Sequence, residues 1–368
     1  MRVLLLADLH IGRGDSTEQC TTILSILKKE KVDLIVILGD FFDRLLKFSS
    51  EGARCANRVM HELARTSKDG VPVRILYGTE SHEMNQYNAF RHYEKDYDIR
   101  FINHVEEEEI NGKKIMYLPE EYITDQLDYY KDTLYSDKHY DYIFGHGVII
   151  EGMPMTTIAG RKNGSDHRAP HFKTADLAQK SDLAVFGHYH TYTDLGNNVY
   201  YLGSLFRNSF GEEEAKGYGI ADEDKLTFIE NEKAHVYKTY TFDDTSDVYE
   251  SPDSLVKALE RIKSENEGVF TGASKGQVRM IFELPESTDT AFKEAVHDII
   301  NGEKKIKVVL RESIPKVDEI KEEIDTKWGY LMDNEISIPS KISRYIKETK
   351  NIDIPPKEVE EYINGEKE

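Results

Sequence analysis

A chain of 368 residues exceeds one typical domain, so two domains are expected and a sizeable core can be buried. Hydrophobic residues at 39% and charged residues at 32% fit a soluble globular protein, and two cysteines exclude a disulfide framework. A net charge of −20 argues against a simple nucleic-acid binder, because neutralising phosphates takes surplus Lys and Arg. The first residues enter a strand without a signal-peptide pattern, and no apolar run approaches membrane-spanning length. The expectation is a reducing compartment, the cytoplasm, with no membrane association.

In chain order, the apolar run 3–6 reads as a buried strand and ends at Asp8-Leu9-His10. Ser16-Thr17-Glu18-Gln19 fits a capping box, with Ser16 as N-cap and Gln19 at N3; Cys20, Ile23, Leu24 and Leu27 then recur at helical spacing. The run 34–38 ends at Gly39-Asp40-Phe41-Phe42-Asp43. A helix over about 52–65 carries Ala53, Ala56, Met60 and Leu63 on one face. The strand 73–77 delivers Gly78-Thr79-Glu80-Ser81-His82-Glu83, and a further helix is expected over 85–93. Asn111-Gly112, between Ile110 and Ile115, reads as a hairpin turn, with Glu106 to Glu109 before it as a solvated face. The runs 142–144 and 183–186 end at Gly145-His146 and Gly187-His188-Tyr189-His190.

Between those last two motifs, Arg161, Lys162, Arg168 and Lys173 outweigh Glu151 and Asp166. This stretch is either a solvent loop or a loop that binds substrate phosphate. His167 and His171 lie there without ligand spacing and are not assigned to a metal. Strands follow over 198–202, 226–229 and 235–242, and the polar stretch 243–246 marks a domain boundary. Ser251-Pro252 starts a helix with Leu255, Val256, Leu259 and Ile262 that ends near Gly268. Strand 278–284, helix 290–300 and strand 306–310 imply a small α/β domain. In the tail, Ile342, Tyr345 and Ile346 mark one short amphipathic helix, and Val359, Tyr362 and Ile363 another. Neither stripe is wide enough to form its own core, so the two helices dock either on the chain's own domain or on a partner. The division expected is 1–243, 247–313 and a helical tail over 314–368.

Carboxylates and imidazoles at successive strand ends point to a site built along one edge of a sheet. Such oxygen and nitrogen donors suit manganese, iron, zinc or magnesium. Side chains at i and i+2 of an extended segment share a side, so Asp8 with His10, and His188 with His190, can each grip one ion.

The order D-x-H, G-D-x-x-D, G-N-H-[DE], H, G-H-x-H resembles the signature of the calcineurin-like metallophosphoesterases. Further on, Tyr201-Leu202-Gly203-Ser204-Leu205, Ser209-Phe210-Gly211-Glu212-Glu213 and Lys216-Gly217-Tyr218 resemble SbcD-type DNA nucleases. That group includes archaeal and eukaryotic double-strand-break repair nucleases and phage-encoded relatives. The resemblance covers about the first two thirds of the chain. One motif departs from it: where the family has G-N-H-[DE], this chain has Gly78-Thr79-Glu80-Ser81-His82-Glu83 and lacks the metal-binding Asn.

The resemblance implies an α/β fold, an αββα metallophosphoesterase sandwich with a small α/β capping domain and a helical C-terminal tail. It implies two divalent ions, manganese first among them, bridged by Asp40. Metal one would take Asp8, His10, Asp40 and His190. Metal two would take Asp40, His146, His188 and a neutral oxygen, from Ser81 or failing that Thr79. His82 would bind the phosphate or protonate the leaving oxygen, Glu83 would hold its ring or face solvent, and Asp43 would orient the site. Arg161, Lys162 and Arg168 are the substrate-binding candidates. The activity implied is two-metal cleavage of DNA ends by a homodimer whose tail docks on an SbcC-like coiled-coil ATPase, in the host cytoplasm if the chain is phage-encoded. Two other readings stand beside it: another metallophosphoesterase (a phosphatase or nucleotide phosphodiesterase) and a scaffold that kept the fold without the chemistry.

Overall fold

A computed structural model describes residues 1–152, 171–243, 245–284, 292–294, 296–297, 303–312, 336–350 and 352–363. The chain forms two compact units: Met1–Tyr240 with Leu255–Met280 and Ile299–Val308, and Thr241–Ser254 with Ile281–Asp298 and Val309–Glu368.

In the first unit the strands are β1 (Arg2–Leu6), β2 (Leu34–Ile37), β3 (Val73–Leu76), β4 (Ile99–Ile102), β5 (Glu106–Ile110), β6 (Lys113–Leu118) and β7 (Tyr140–His146). Next come the two-residue strands β8 (Val148–Ile149) and β9 (His171–Phe172), then β10 (Ser181–Gly187), β11 (Thr193–Asp194), β12 (Val199–Tyr201), β13 (Gly217–Asp222) and β14 (Lys225–Glu230). They build two six-stranded sheets, ordered β14-β13-β1-β2-β3-β4 and β11-β12-β10-β7-β6-β5. Within each sheet the central strands run parallel.

Alternation along the strands explains the layering. Val3, Leu5, Val36 and Leu76 meet Tyr117, Phe144 and Val185 between the sheets. Leu4, Leu6, Ile35 and Ile75 point the other way, onto helices α1 (Ser16–Lys29) and α2 (Glu51–Lys68). Met116, Ile143, Ala184 and Phe186 cover the far side of the second sheet with Tyr130, Leu134 and Leu177. Parallel strands buried on both faces read as continuous apolar runs, which is why they were visible in the sequence. Each buried Leu, Ile or Val contributes about 1.5–3 kcal/mol. The αββα sandwich is therefore as expected.

Several local readings change. The N-cap of α1 is Asp15, not Ser16: its carboxylate accepts from Thr17 N at 3.0 Å and Glu18 N at 3.1 Å. A charged acceptor at a helix N-terminus gains from the helix dipole, which a hydroxyl does not. Gln19 is likewise no capping-box partner. Its side chain donates to the carbonyls of Leu9 and His10 at 3.3 and 3.2 Å and holds the loop after β1. The stripe of α2 faces its own core, with Ala56, Met60 and Leu63 buried. The helix expected over 85–93 is instead broken: Met84 and Asn85 take positive φ (43° and 57°), and a 3-10 turn Gln86–Ala89 precedes a helical turn Tyr93–Asp96. The hairpin forms as expected, with Asn111 and Gly112 both at positive φ, the twist that a two-residue turn requires. The strands β4, β8, β9, β11 and β13 go beyond those expected.

The run Glu106 to Glu109 is a solvated face only at Glu107 and Glu109, which are exposed as expected, while Glu106 and Glu108 are half-buried. All four lie on β5, and Glu108 receives Arg74 Nε at 2.7 Å and Nη2 at 2.9 Å, while Tyr117 donates to it at 2.6 Å. Arg74 lies on β3 of the other sheet, so this pair joins the two layers.

Beyond them lie β15 (Val236–Phe242), β16 (Gly276–Leu284) and β17 (Ile306–Glu312), ordered in that sequence in a three-stranded sheet. Ser251 caps the helix Pro252–Glu265 as expected, accepting from Ser254 N at 3.2 Å. In the second unit Phe242 stacks on Phe282. The tail helices are Ile338–Lys350 and Pro356–Ile363, and their Tyr345, Tyr362 and Ile363 are exposed. No helix among the described residues is long and apolar enough to cross a membrane.

Candidate metal centre

Because the central strands are parallel, their carboxyl ends meet along one edge, and the loops leaving them converge. Leu6 lies level with Ile37, Gly187 with His146 and Leu118 with Gly145. Asp8, Asp40, His146 and His188 thus leave neighbouring strands at one height. The loops continue the pairing past the strands, His10 N to Asp40 O at 3.0 Å and Ile11 N to Phe41 O at 2.9 Å. The turns are tight: Asp8, His10 and Asp40 adopt φ of 47°, 42° and 48°, and His188 adopts 106°. Such conformations cost of order 1–3 kcal/mol each and persist where surrounding contacts enforce them. Gly39 and Gly78 fit because a Cβ at either would strike the His146 ring or Asp40 respectively.

Four overlapping sets of donor atoms cluster within 4.8 Å: Asp8-His10-His190, His10-Asp40-His82, Asp8-Asp40-His146 and Glu120-His146-His188. His10 Nε2 and His190 Nε2 face each other at 3.0 Å. Asp40 stands centrally, with Oδ2 3.7 Å from His10 Nε2 and Oδ1 3.6 Å from His146 Nε2. His188 and His190 fall into different sets. The shared side expected of i and i+2 fails for this pair, since His188 does not sit in extended backbone.

Two of the rings are fixed by a backbone carbonyl on their other nitrogen. His146 Nδ1 donates to Leu38 O at 2.6 Å, which leaves Nε2 facing the carboxylates. His82 Nδ1 donates to Asp43 O at 2.6 Å, and its Nε2 lies 4.0 Å from Asp40 Oδ2. So the backbone of Asp43, not Glu83, holds the His82 ring. Glu83 is buried and accepts from Phe41 N at 3.1 Å, Gly78 N at 3.4 Å and Tyr87 OH at 2.9 Å, tying two site loops together. The Asp43 carboxylate lies 3.6 Å from His10 Nδ1 and receives Arg44 Nε at 2.6 Å.

Glu120 was not anticipated. It follows β6, its backbone N–H donates to Tyr77 O at 3.0 Å, and its Oε2 lies 3.3 Å from His188 Nδ1 and 3.6 Å from His146 Nε2. The cue was present in the sequence: the apolar run Ile115 to Leu118 ends in Pro119-Glu120, the strand-then-ligand pattern seen elsewhere in the chain. Of the two hydroxyls expected to replace the missing Asn, Ser81 is exposed. Thr79 sits at the site, its N–H 2.7 Å from Asp40 Oδ1 and its Oγ1 3.5 Å from Asp40 Oδ2. Arg161, Lys162 and Arg168 lie outside the described residues.

The donor set fits cations. Burial, then the nearby Asp40 charge, pushes the Asp8 carboxyl well above the usual range. Burial drives His10 down to about 2 and also lowers His146, so neither ring readily becomes the missing cation. Burial opposes ionisation of Glu120, yet His188 and His146 outweigh it and hold the carboxyl at about 2. The buried nitrogens His10 Nδ1, His146 Nε2 and His188 Nδ1 make no hydrogen bond. Buried carboxylates beside imidazole nitrogens that make no hydrogen bond are the donor chemistry that divalent ions satisfy.

The profile of the calcineurin-like phosphoesterases matches residues 1–192. No curated protein matches the chain. Among solved structures the chain is similar to GAP50, the anchor in the inner membrane complex of Plasmodium, at 14% identity over 64% of this chain and 86% of that one, with a TM-score of 0.40. It is also similar to glutamine-dependent NAD+ synthetase from Acinetobacter baumannii, at 12% identity over 93% of this chain and 70% of that one, with a TM-score of 0.32.

Proposed function

This chain belongs to the calcineurin-like phosphoesterase family, and we propose that within it the protein is a two-metal phosphodiesterase of the SbcD type that cleaves DNA ends. Asp8, His10, Asp40 and His190 would hold one divalent ion, manganese in this reading, and Asp40, His146 and His188 would share the other. What such a pair supplies is Lewis acidity toward a phosphoryl oxygen and a nucleophile at neutral pH.

The residues around it have separable tasks. With Nδ1 committed to Asp43 O, His82 keeps Nε2 for the substrate, and its side chain is about a third exposed, at 31%, so a phosphate can reach it. There it would bind the phosphate or protonate the leaving oxygen. Glu83 and Gln19 hold the loops that carry Asp40 and His10 in register.

The observation that carries the nuclease reading is where the SbcD-like segment packs. Ser204 N and Lys216 Nζ donate to His190 O at 3.1 and 2.6 Å, and Glu212 Oε1 lies 3.4 Å from His190 Nδ1. The residues that set this chain apart within its family are therefore built onto a candidate ligand. The same reading gives the protein a homodimeric form and an SbcC-like ATPase partner that takes the tail helices and supplies DNA contacts an acidic chain lacks. The exposed Tyr345, Tyr362 and Ile363 support a docked tail. Removal of residues 336–368 should then abolish co-purification with the ATPase and leave a folded protein.

The test is incubation of the purified chain with manganese and linear duplex DNA, beside a small aryl phosphate. Metal-dependent DNA cleavage supports the proposal. Hydrolysis of the aryl phosphate alone would make it a phosphatase, and inertness toward both would make it a scaffold.

A further inference from the structure

The family motif supplies an amide oxygen that this chain lacks, and the loop that should carry it has been rebuilt. In its place the second sheet brings a carboxylate. Glu120 is 2% exposed at its side chain, and its Oε2 lies between two imidazoles, 3.3 Å from His188 Nδ1 and 3.6 Å from His146 Nε2. Both nitrogens are buried and make no hydrogen bond. The other oxygen is occupied: Tyr122 OH donates to Glu120 Oε1 at 2.8 Å. Thr79 Oγ1 donates to Oε2 at 3.3 Å, from the segment where the family has its Asn. One oxygen is thus tied back while the other points where two rings converge, as outer hydrogen bonds orient a ligand toward a metal.

We propose that Glu120 is the protein ligand that replaces the missing amide, binding the second divalent ion with His146 and His188, with Tyr122 and Thr79 as positioning residues. This rests on the two-ion reading above. Its chemical consequence is a change of charge. Asp8, Asp40 and Glu120 bring three negative charges to two divalent ions, where a neutral amide would leave two. The second ion is held more tightly and by harder donors, which favours manganese or magnesium over softer metals. It also draws electrons less strongly from a bound phosphate.

The test is calorimetric titration of the full, metal-stripped chain with manganese chloride and no substrate, beside thermal unfolding of each metal-free variant. The wild type should take two ions. Glu120→Ala, which removes the donor (Gln would restore an amide oxygen), should keep the first and weaken the second at least about 100-fold, more than the loss of an outer hydrogen bond usually costs. Tyr122→Phe should weaken the second alone, by about 10-fold, and serves as the independent variant if Glu120→Ala does not fold. Two ions bound with unchanged affinities in both variants would overturn the role of Glu120 and leave the two-ion reading standing. A wild-type chain that binds fewer than two ions would overturn the two-ion reading itself.

Discussion

The two halves of the candidate centre are built differently. One half gathers Asp8, His10 and His190, each from a motif that names itself in the sequence. The other gathers His146 and His188 with Glu120, which belongs to no recognised motif and arrives from the strand beside β7. In the first half local spacing is sufficient. In the second, the loop lacks the motif's Asn and Glu120 comes to the two imidazoles from the opposite sheet. A substituted motif is therefore weak ground for declaring a site lost.

The strongest way to break the comparison is at the residue both halves share. Asp40→Ala should remove both ions and lower metal-dependent turnover by more than about 100-fold. Metal content after dialysis and hydrolysis rate together check it, and a metal-replete, active variant would sink the shared-ligand assignment. His82→Ala should leave both halves loaded and cut turnover by about 10²–10⁴-fold, because its Nε2 is free for substrate. Equal metal content with a collapsed rate separates it from the ligands.

Away from the centre, Arg74 and Glu108 join the two sheets as a buried pair, their side chains 4% and 14% exposed. Burial pushes the Glu108 carboxyl up, but Arg74 and Tyr117 outweigh it and hold it below the usual range. A depressed carboxyl stabilises the fold above its unfolded pKa of about 4.3, and the contribution is lost as pH falls through the lower folded value. Arg74→Ala should cost about 3–5 kcal/mol at neutral pH, remove that acid dependence and leave manganese binding unchanged. Chemical denaturation at several pH values would show it.

The smallest effects lie in the rebuilt loop. Thr79→Ala should raise the manganese requirement of the second half by up to about 10-fold, and Ser81→Ala, whose side chain is exposed, should not change it. The reverse pattern in a manganese titration would mean that the loop is aligned one way in the sequence and another in the protein.

What was legible followed from period and burial. Parallel strands between two layers are largely apolar, so 3–6, 34–38, 73–77 (Arg74 apart) and 183–186 stood out, and Asn111-Gly112 announced its own turn. What was not legible depended on partners distant in sequence. Glu108 read as solvated because its partner Arg74 lies 34 residues away in sequence. Gln19 read as a cap because the carbonyls it holds belong to another loop. Asp15 displaced Ser16 because its carboxylate accepts two backbone N–H bonds, from Thr17 and Glu18. Glu120 was hidden by a strand end that no motif flagged, although Pro119-Glu120 after four apolar residues repeats the pattern of the recognised sites.

The central claim is that one edge of this sandwich holds two divalent ions, and anomalous scattering from crystals soaked in manganese tests it most directly. The account predicts two peaks sharing Asp40, one against Asp8, His10 and His190 and one against Glu120, His146 and His188. A single peak, or none at this edge, would contradict it.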